Sequence, residues 1–332
     1  MTRREFMQAG IAAGISSALP EVCAEAVSLP QRKDDNGVFK TRLRAALIAR
    51  TADPATCERI AAAEFSGVEL TAKEISMDTA RVFRANAGKA GIRIHSLMGA
   101  GWSTFNAKDP NTRRSAIDAM KQRLLVANEC GASTVLCVPG RIGGMAMPRP
   151  SAFKPVFDPK TLELKSVVDG DNAPFADYIA AHNEATKRTL EAVHELIPVA
   201  AEAGVALCLE NVWNNLWVTP AFMSALVRSF DSAWVKAYLD LGNHVCYAPV
   251  ETWLRTERGL IAKLHIKDFL SDRTLPHEGK FVPIGRGSID WKSVRRVIEE
   301  IGYSGWVSIE SSGFTDAEHR QIMNRFFKGE GA

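Results

Sequence analysis

With 332 residues, 46% of them hydrophobic and 24% charged, the chain has the composition of an ordinary globular protein. Its formal net charge of +3 is close to balance, and no basic stripe with interleaved aromatic residues runs along it. Nucleic acid is therefore disfavoured as the main partner, while enzyme and binding protein both stay open.

The N-terminus opens with paired arginines in Thr2-Arg3-Arg4-Glu5-Phe6-Met7 and continues through a small, weakly apolar run from Ala9 to Leu19. Ala24-Glu25-Ala26 then offers an A-x-A cleavage site. Residues 1–26 read as a twin-arginine signal peptide, which would make the mature protein periplasmic. The apolar run is shorter than the ~20 residues a spanning helix needs, and no later segment supplies one. Stable membrane insertion is therefore not expected. Cys23 leaves with the signal, and the remaining cysteines form no C-x-x-C pair, so neither a zinc knuckle nor a redox dithiol is suggested.

A polar linker, residues 27–41, leads into alternating strand-like and helix-like stretches over residues 42–328. The expected strands are Arg44–Ala49, Gly67–Leu70, Ile92–Leu97 and Ser133–Val138, then Val205–Leu209, Val235–Leu239, Ala262–Ile266 and Trp306–Ile309. They are short, apolar and rich in β-branched residues, as strands buried on both faces should be. Helical runs lie between them, such as Thr56–Phe65, Arg113–Cys130, Asp177–Ala203, Pro220–Ser229 and Trp291–Ile301. Gly91, Gly131, Gly204 and Gly302 supply helix C-terminal signals just before the next strand. Eight such units in one chain predict an α/β protein, a single (β/α)8 TIM barrel, over an open doubly wound sheet. The first unit is ambiguous, because Leu43–Ala49 also fits a helix. Two segments, Arg141–Asn172 and Leu270–Ser288, outrun the roughly two to six residues of an ordinary βα loop. Both leave C-terminal strand ends, which suggests a lid or substrate wall.

The fifth to eighth expected strands each close on an ionisable residue: Glu210, Asp240, His265 and, last, Glu310. A carboxylate closing an apolar strand is costly to bury without a partner. Singly, a helix cap would account for Glu210 or Asp240, and a satisfied core histidine for His265. Together, three carboxylates and an imidazole on consecutive strands concentrate negative charge that a divalent cation relieves. Oxygen-rich donors with one imidazole favour Mn2+, with Mg2+ or Co2+ as alternatives, over a structural zinc.

The pieces Gly67-Val68-Glu69-Leu70, Leu209-Glu210-Asn211, Leu239-Asp240-Leu241-Gly242-Asn243-His244, His265-Ile266-Lys267-Asp268 and Gly302-Tyr303-Ser304-Gly305-Trp306-Val307-Ser308-Ile309-Glu310 occur in a telling order. In them the chain resembles the xylose isomerase-like barrel superfamily. Within it, the match is to the sugar phosphate isomerase/epimerase branch with its D-tagatose 3-epimerase-like enzymes, over about residues 42–328. The resemblance implies a divalent-metal-dependent sugar isomerase or epimerase. Glu210, Asp240, His265 and Glu310 would bind the metal, and Glu210 and Glu310 would also exchange protons with a metal-stabilised enediolate. Glu69 and His95, ending the second and third strands, are expected to face the substrate. Further candidates for substrate contact at the mouth are Trp102, Asn211, Trp213, Asn243, His244, Lys267 and Arg286. Trp217 is a second stacking candidate beside Trp213, and Asp268 a candidate for orienting a ligand.

One departure stands out. Asn211-Val212-Trp213-Asn214-Asn215-Leu216-Trp217 lacks the further acid that some family epimerases carry there. Two other readings follow. A lyase or dehydratase on a keto-sugar or 3-keto-glycoside would need the same metal and proton abstraction, and export favours a glycoside. A non-catalytic sugar-binding barrel is the reading from another class. The expected partner is a small-molecule sugar or glycoside, and homo-oligomerisation is left open.

Overall fold

A computed structural model of the chain describes residues 34–99 and 104–332. The expected signal peptide, most of the linker and Trp102 lie outside the described residues.

In chain order the strands begin with β1 (Leu43–Ala49), β2 (Gly67–Leu70), β3 (Arg93–Met98) and β4 (Thr134–Cys137). A short pair follows, β5 (Val156–Phe157) and β6 (Leu164–Ser166), and then β7 (Ala206–Glu210), β8 (Val235–Asp240) and β9 (Ile261–Ile266). The last are a second short pair, β10 (Asp268–Ser271) and β11 (Gly279–Val282), and β12 (Gly305–Ile309). Strands β1 to β4, β7 to β9 and β12 are parallel and close into a barrel, with β12 pairing back onto β1. Helices α1 (Pro54–Ala62), α2 (Met77–Lys89), α3 (Pro110–Cys130) and α4 (Ala176–Ala203) surround its first half. The second half carries α5 (Pro220–Ser229), α6 (Val250–Thr256), α7 (Trp291–Ile301) and α8 (Asp316–Lys328). This is the expected (β/α)8 TIM barrel. The ambiguous first unit is a strand, paired on both sides with β2 and β12.

Local chemistry explains the element ends. Asp53 and Asp109 cap α1 and α3 by accepting the amides of Thr56 and Thr112. Thr315 and Glu318 form a reciprocal capping box on α8. Gly131, Gly204 and Gly302 end their helices at φ of 77, 64 and 74°, a left-handed geometry that a side chain would strain.

Strand alternation divides the buried residues into two sets. Leu207, Leu209, Leu239, Leu264, Ile266, Val307 and Ile309 join the large cluster shared with the helices. Ala206, Cys208 and Tyr238 belong instead to a small cluster in the barrel interior. Since side chains alternate along a strand, Glu210, Asp240, His265 and Glu310 share that inner register and converge at the C-terminal mouth.

The two long segments are not plain coil. Each folds a short antiparallel hairpin, β5–β6 in one and β10–β11 in the other. They are joined at the buried Glu278, whose carboxylate accepts the Ser151 amide at 3.1 Å, while the Arg149 guanidinium donates to the Arg273 carbonyl at 2.6 Å. Among the described residues no helix is long and apolar enough to cross a membrane.

Candidate metal centre

Register brings the four expected ligands together. Asp240 lies directly beside His265, and Ser308, two residues before Glu310, pairs with His265 on its other side. One donor atom from each of Glu210, Asp240, His265 and Glu310 falls within 4.8 Å of the other three. That span is about twice the ~2.0–2.6 Å of hard-cation bonds to oxygen, so one ion can reach all four. His265 Nδ1 is 3.0 Å from Glu310 Oε2, 3.5 Å from Glu210 Oε1 and 3.9 Å from Asp240 Oδ2. Yet His265 Nδ1 and Asp240 Oδ2, both buried, make no hydrogen bond of good geometry. Buried polar atoms are seldom left so, and two that face one point fit a shared cation.

The other atoms of these ligands are anchored. Asp240 Oδ1 accepts the amides of Gly242 and Asn243 at 2.8 and 2.7 Å. Asn211 ties β7 to β8 twice, donating to the Asp240 carbonyl at 2.9 Å and accepting its amide at 2.7 Å. The Asn243 side chain reaches Glu210 Oε1 at 3.5 Å. Lys267 Nζ lies 3.0 Å from Glu310 Oε2 and 3.3 Å from Asp240 Oδ2, over the ring of Phe281.

The electrostatics follow from burial and mutual charge. Burial raises the Asp240 carboxyl to about 7, against the attraction of Lys267. It raises Glu210 as well, while His265 opposes it. For Glu310, burial is outweighed by His265 and Lys267, which hold the carboxyl well below the usual range. His265 is driven well above the ordinary histidine value, burial notwithstanding, by Glu69, Glu210 and Glu310. With Glu69, four carboxylates surround two cationic side chains, an excess of negative charge that a divalent ion would balance.

Glu69, expected to face a substrate, is fully buried inside the barrel and accepts from His265 Nε2 at 2.8 Å. The Tyr238 hydroxyl donates to the same oxygen at 2.7 Å. Burial would raise the Glu69 carboxyl, but the adjoining His265 brings it down to about 2. With Nε2–H given to Glu69, Nδ1 is the nitrogen left for an ion, the arrangement by which an outer carboxylate orients a histidine ligand. Tyr238 was not expected at the site. Its signal was its place two residues before Asp240, on the same strand face.

Other expectations also change. His95 is buried, bonded to the Ser308 hydroxyl at 3.0 Å and stacked on Trp306 at 4.7 Å, so it supports the barrel wall. Trp217 is core, its indole donating to Thr186 at 3.0 Å. Asp268 orients no ligand. It accepts the amides of Gly285 and Gly287 and the Trp291 indole N–H, pinning the turn after β11. Arg286 is exposed in that turn. Trp213 and His244 line a separate cavity, away from the cluster atoms. The large cavity at the mouth, about 660 Å³, is lined by Lys267, Phe281, Glu310, Ser311 and the α8 residue His319, among others.

Fold and cluster together define a barrel whose C-terminal mouth gathers three carboxylates and a histidine, on the face where barrel enzymes place their chemistry. The model of the xylose isomerase-like TIM barrel family matches residues 57–326, and the chain belongs to that family. It is 28% identical over 134 residues to L-ribulose-5-phosphate 3-epimerase of Escherichia coli K12, a match covering 40% of this chain. That alignment spans 45% of the curated relative, less than half its length. Among solved structures, a D-tagatose 3-epimerase-like protein superposes with a TM-score of 0.64 at 16% identity, over 86% of this chain and 96% of that one. The 3-keto-D-glucoside 4-epimerase of E. coli gives 0.62 at 15% identity, over 86% and 99%. At such identities these structures support the fold alone.

Proposed function

We propose that the chain is a divalent-metal-dependent isomerase or epimerase of a neutral sugar. The observation that carries this reading is the convergence of Glu210, Asp240, His265 and Glu310 within 4.8 Å beside the large mouth cavity. A divalent ion bound there, manganese by preference, supplies Lewis-acid stabilisation of the negative charge that develops on the sugar oxygens. Glu210 and Glu310 stand on β7 and β12, with β8 and β9 between them, and so approach from different sides. One removes the carbon-bound proton and the other returns it. Lys267 offsets charge beside Glu310, and Glu69 with Tyr238 holds the His265 ring in place.

The sugar is read as unphosphorylated. A phosphate calls for arginine, free lysine or a helix N-terminus. Among the described residues lining the large cavity, Lys267 is the one lysine or arginine, already committed to Asp240 and Glu310, and the α8 N-terminus that borders it carries Asp316 and Glu318, carboxylates that disfavour an anion there.

Metal binding is the direct test. The purified protein is expected to hold about one divalent ion, and Asp240→Ala combined with His265→Ala to lose most of it by elemental analysis. Stoichiometric metal retained in the double variant would remove the proposed site. The lyase alternative uses the same cluster and differs in releasing a smaller or unsaturated product, which mass spectrometry reads directly.

Export is a separate proposal resting on Arg3 and Arg4. Lysine presents an ammonium where a planar guanidinium is recognised, so changing both to lysine is expected to hold the precursor in the cytosol. Undiminished periplasmic recovery after that change would refute a twin-arginine signal.

A further inference from the structure

The opposite end of the barrel carries the opposite charge. Arg44, Arg93, Lys236 and Lys263 all stand in the first half of their strands, at the N-terminal mouth. Strand alternation turns each of them toward the barrel interior. Arg93 lies two residues before His95, Lys236 two before Tyr238 and Lys263 two before His265. Arg44 pairs with Trp306, whose ring stacks on His95 inside the barrel. Barrel interiors are usually filled with bulky branched apolar side chains. Here β1, β3, β8 and β9 contribute cations to one layer instead.

Among the described residues, none of the four forms an ion pair, and neither does Arg84 of α2 beside them. Their contacts are with neutral groups. Lys263 Nζ donates to the Ser133 hydroxyl at 3.1 Å, and the Arg44 guanidinium lies 5.6 Å from the centre of the Trp306 ring. That ring is held firmly, reaching across to Gly67 of β2, where a Cβ would come within 2.5 Å of it. Lys236 and Lys263 are only 8% and 6% exposed, and a buried ammonium without a counter-charge is costly. Glu69, the carboxylate that acts on Lys263, is already given to His265 and Tyr238 one layer deeper. The cations also oppose one another. Burial lowers the Arg93 pKa, and Arg44 and Arg84 lower it further. Arg44 and Arg93 act on Lys263 in the same sense.

We propose that this N-terminal mouth is a binding site for a small tetrahedral oxyanion, phosphate or sulfate, held among Arg44, Arg93 and Lys263. Each guanidinium can offer two parallel N–H groups to two oxygens, and Lys263 adds a point charge. The Ser133 hydroxyl, which accepts from Lys263, has its own proton to give. Burial of the lysines favours a compact ion over a polymer lying across the surface. The site stands at the other end of the strands from the metal cluster and does not depend on the sugar reading.

Thermal melts and calorimetric titration of the full chain, in buffer free of phosphate and sulfate, test this. Inorganic phosphate is expected to bind at about one per chain. At 100-fold over its Kd it should raise the melting temperature by about 4–8 °C, and sodium chloride at equal ionic strength should not. Arg44→Gln changes an exposed side chain and should weaken phosphate about tenfold, the loss of one charge-assisted hydrogen bond. Adding Arg93→Gln should bring the loss to about a hundredfold. Without phosphate the double variant should melt no lower than wild type, because it relieves repulsion; arginines with a purely structural role would lower it. No phosphate response, one that sodium chloride reproduces, or one that survives in the double variant overturns the site. So does a lower melt of the double variant without phosphate, and if that variant does not fold, Arg44→Gln alone decides. Vesicles of phosphatidylglycerol form the last arm. Flotation with them, while inorganic phosphate leaves the melt unchanged, would overturn the small-anion site in favour of a membrane surface.

Discussion

Glu310→Gln is expected to lower turnover by about 10²–10⁴-fold, the range typical of lost acid–base catalysis, while metal and sugar binding weaken only modestly. Glu310 is the most exposed of the four candidate ligands, with 36% of its side chain exposed, and it lines the large cavity where a sugar would enter. Glutamine retains its length and one carbonyl oxygen, which can still accept from Lys267 Nζ at the present 3.0 Å. The other three ligands are untouched. What glutamine cannot do is take up a proton. The change therefore separates holding the ion from moving a proton.

Deuterated water supplies the second readout. A working isomerase or epimerase should place deuterium on the reacting carbon or its neighbour, and the Glu310→Gln variant should not. Turnover within about tenfold of wild type would remove Glu310 from the proton transfer. If the wild type binds a sugar tightly, yields neither exchange nor product, and the variant binds equally well, the non-catalytic barrel takes the place of the enzyme.

The candidate cluster was legible in the sequence because the barrel makes it a local property. Each of its residues stands at or next to the end of a short apolar strand, and a charged residue in that position needs a partner wherever the strand goes. The chain folds those strands so that the alternating registers of β7, β8, β9 and β12 point one way, and the four residues meet. Glu69 stands next to the end of β2 as His265 does in β9, and for that reason the local pattern could not distinguish it from a mouth residue. Its carboxylate meets His265 across 196 positions of sequence, a contact that only barrel closure creates. The tryptophans were harder still. Trp213 and Trp217 lie four residues apart in one loop, yet one lines a cavity and the other is buried against α4. Nothing in the loop's composition sets those directions, because its backbone turns through left-handed residues at Asn215 and Trp217. The hairpin β10–β11 was likewise hidden, its strands too short to show a period.

Glu257 shows the opposite failure, and it yields the largest expected effect on stability. In Arg255-Thr256-Glu257-Arg258-Gly259 it resembles a solvated, charged helix end. In the fold it is 1% exposed, and neither carboxyl oxygen has a hydrogen-bond partner. Burial raises its pKa from 4.5 to about 8, only partly offset by the charge of Arg228. Between those values the folded chain binds one more proton than the unfolded chain. Stability therefore falls as pH rises through that window, and the loss is complete above the folded value. Glu257→Gln does not titrate and mimics the protonated acid. Its stability should match wild type near pH 5 and exceed it increasingly toward pH 9, by a total on the order of 3–5 kcal/mol. Urea unfolding of both proteins at pH 5, 7 and 9 measures the gap directly. A gap that stays constant with pH would mean that Glu257 reaches solvent or a counter-charge when it ionises, and that its burial stores no such penalty.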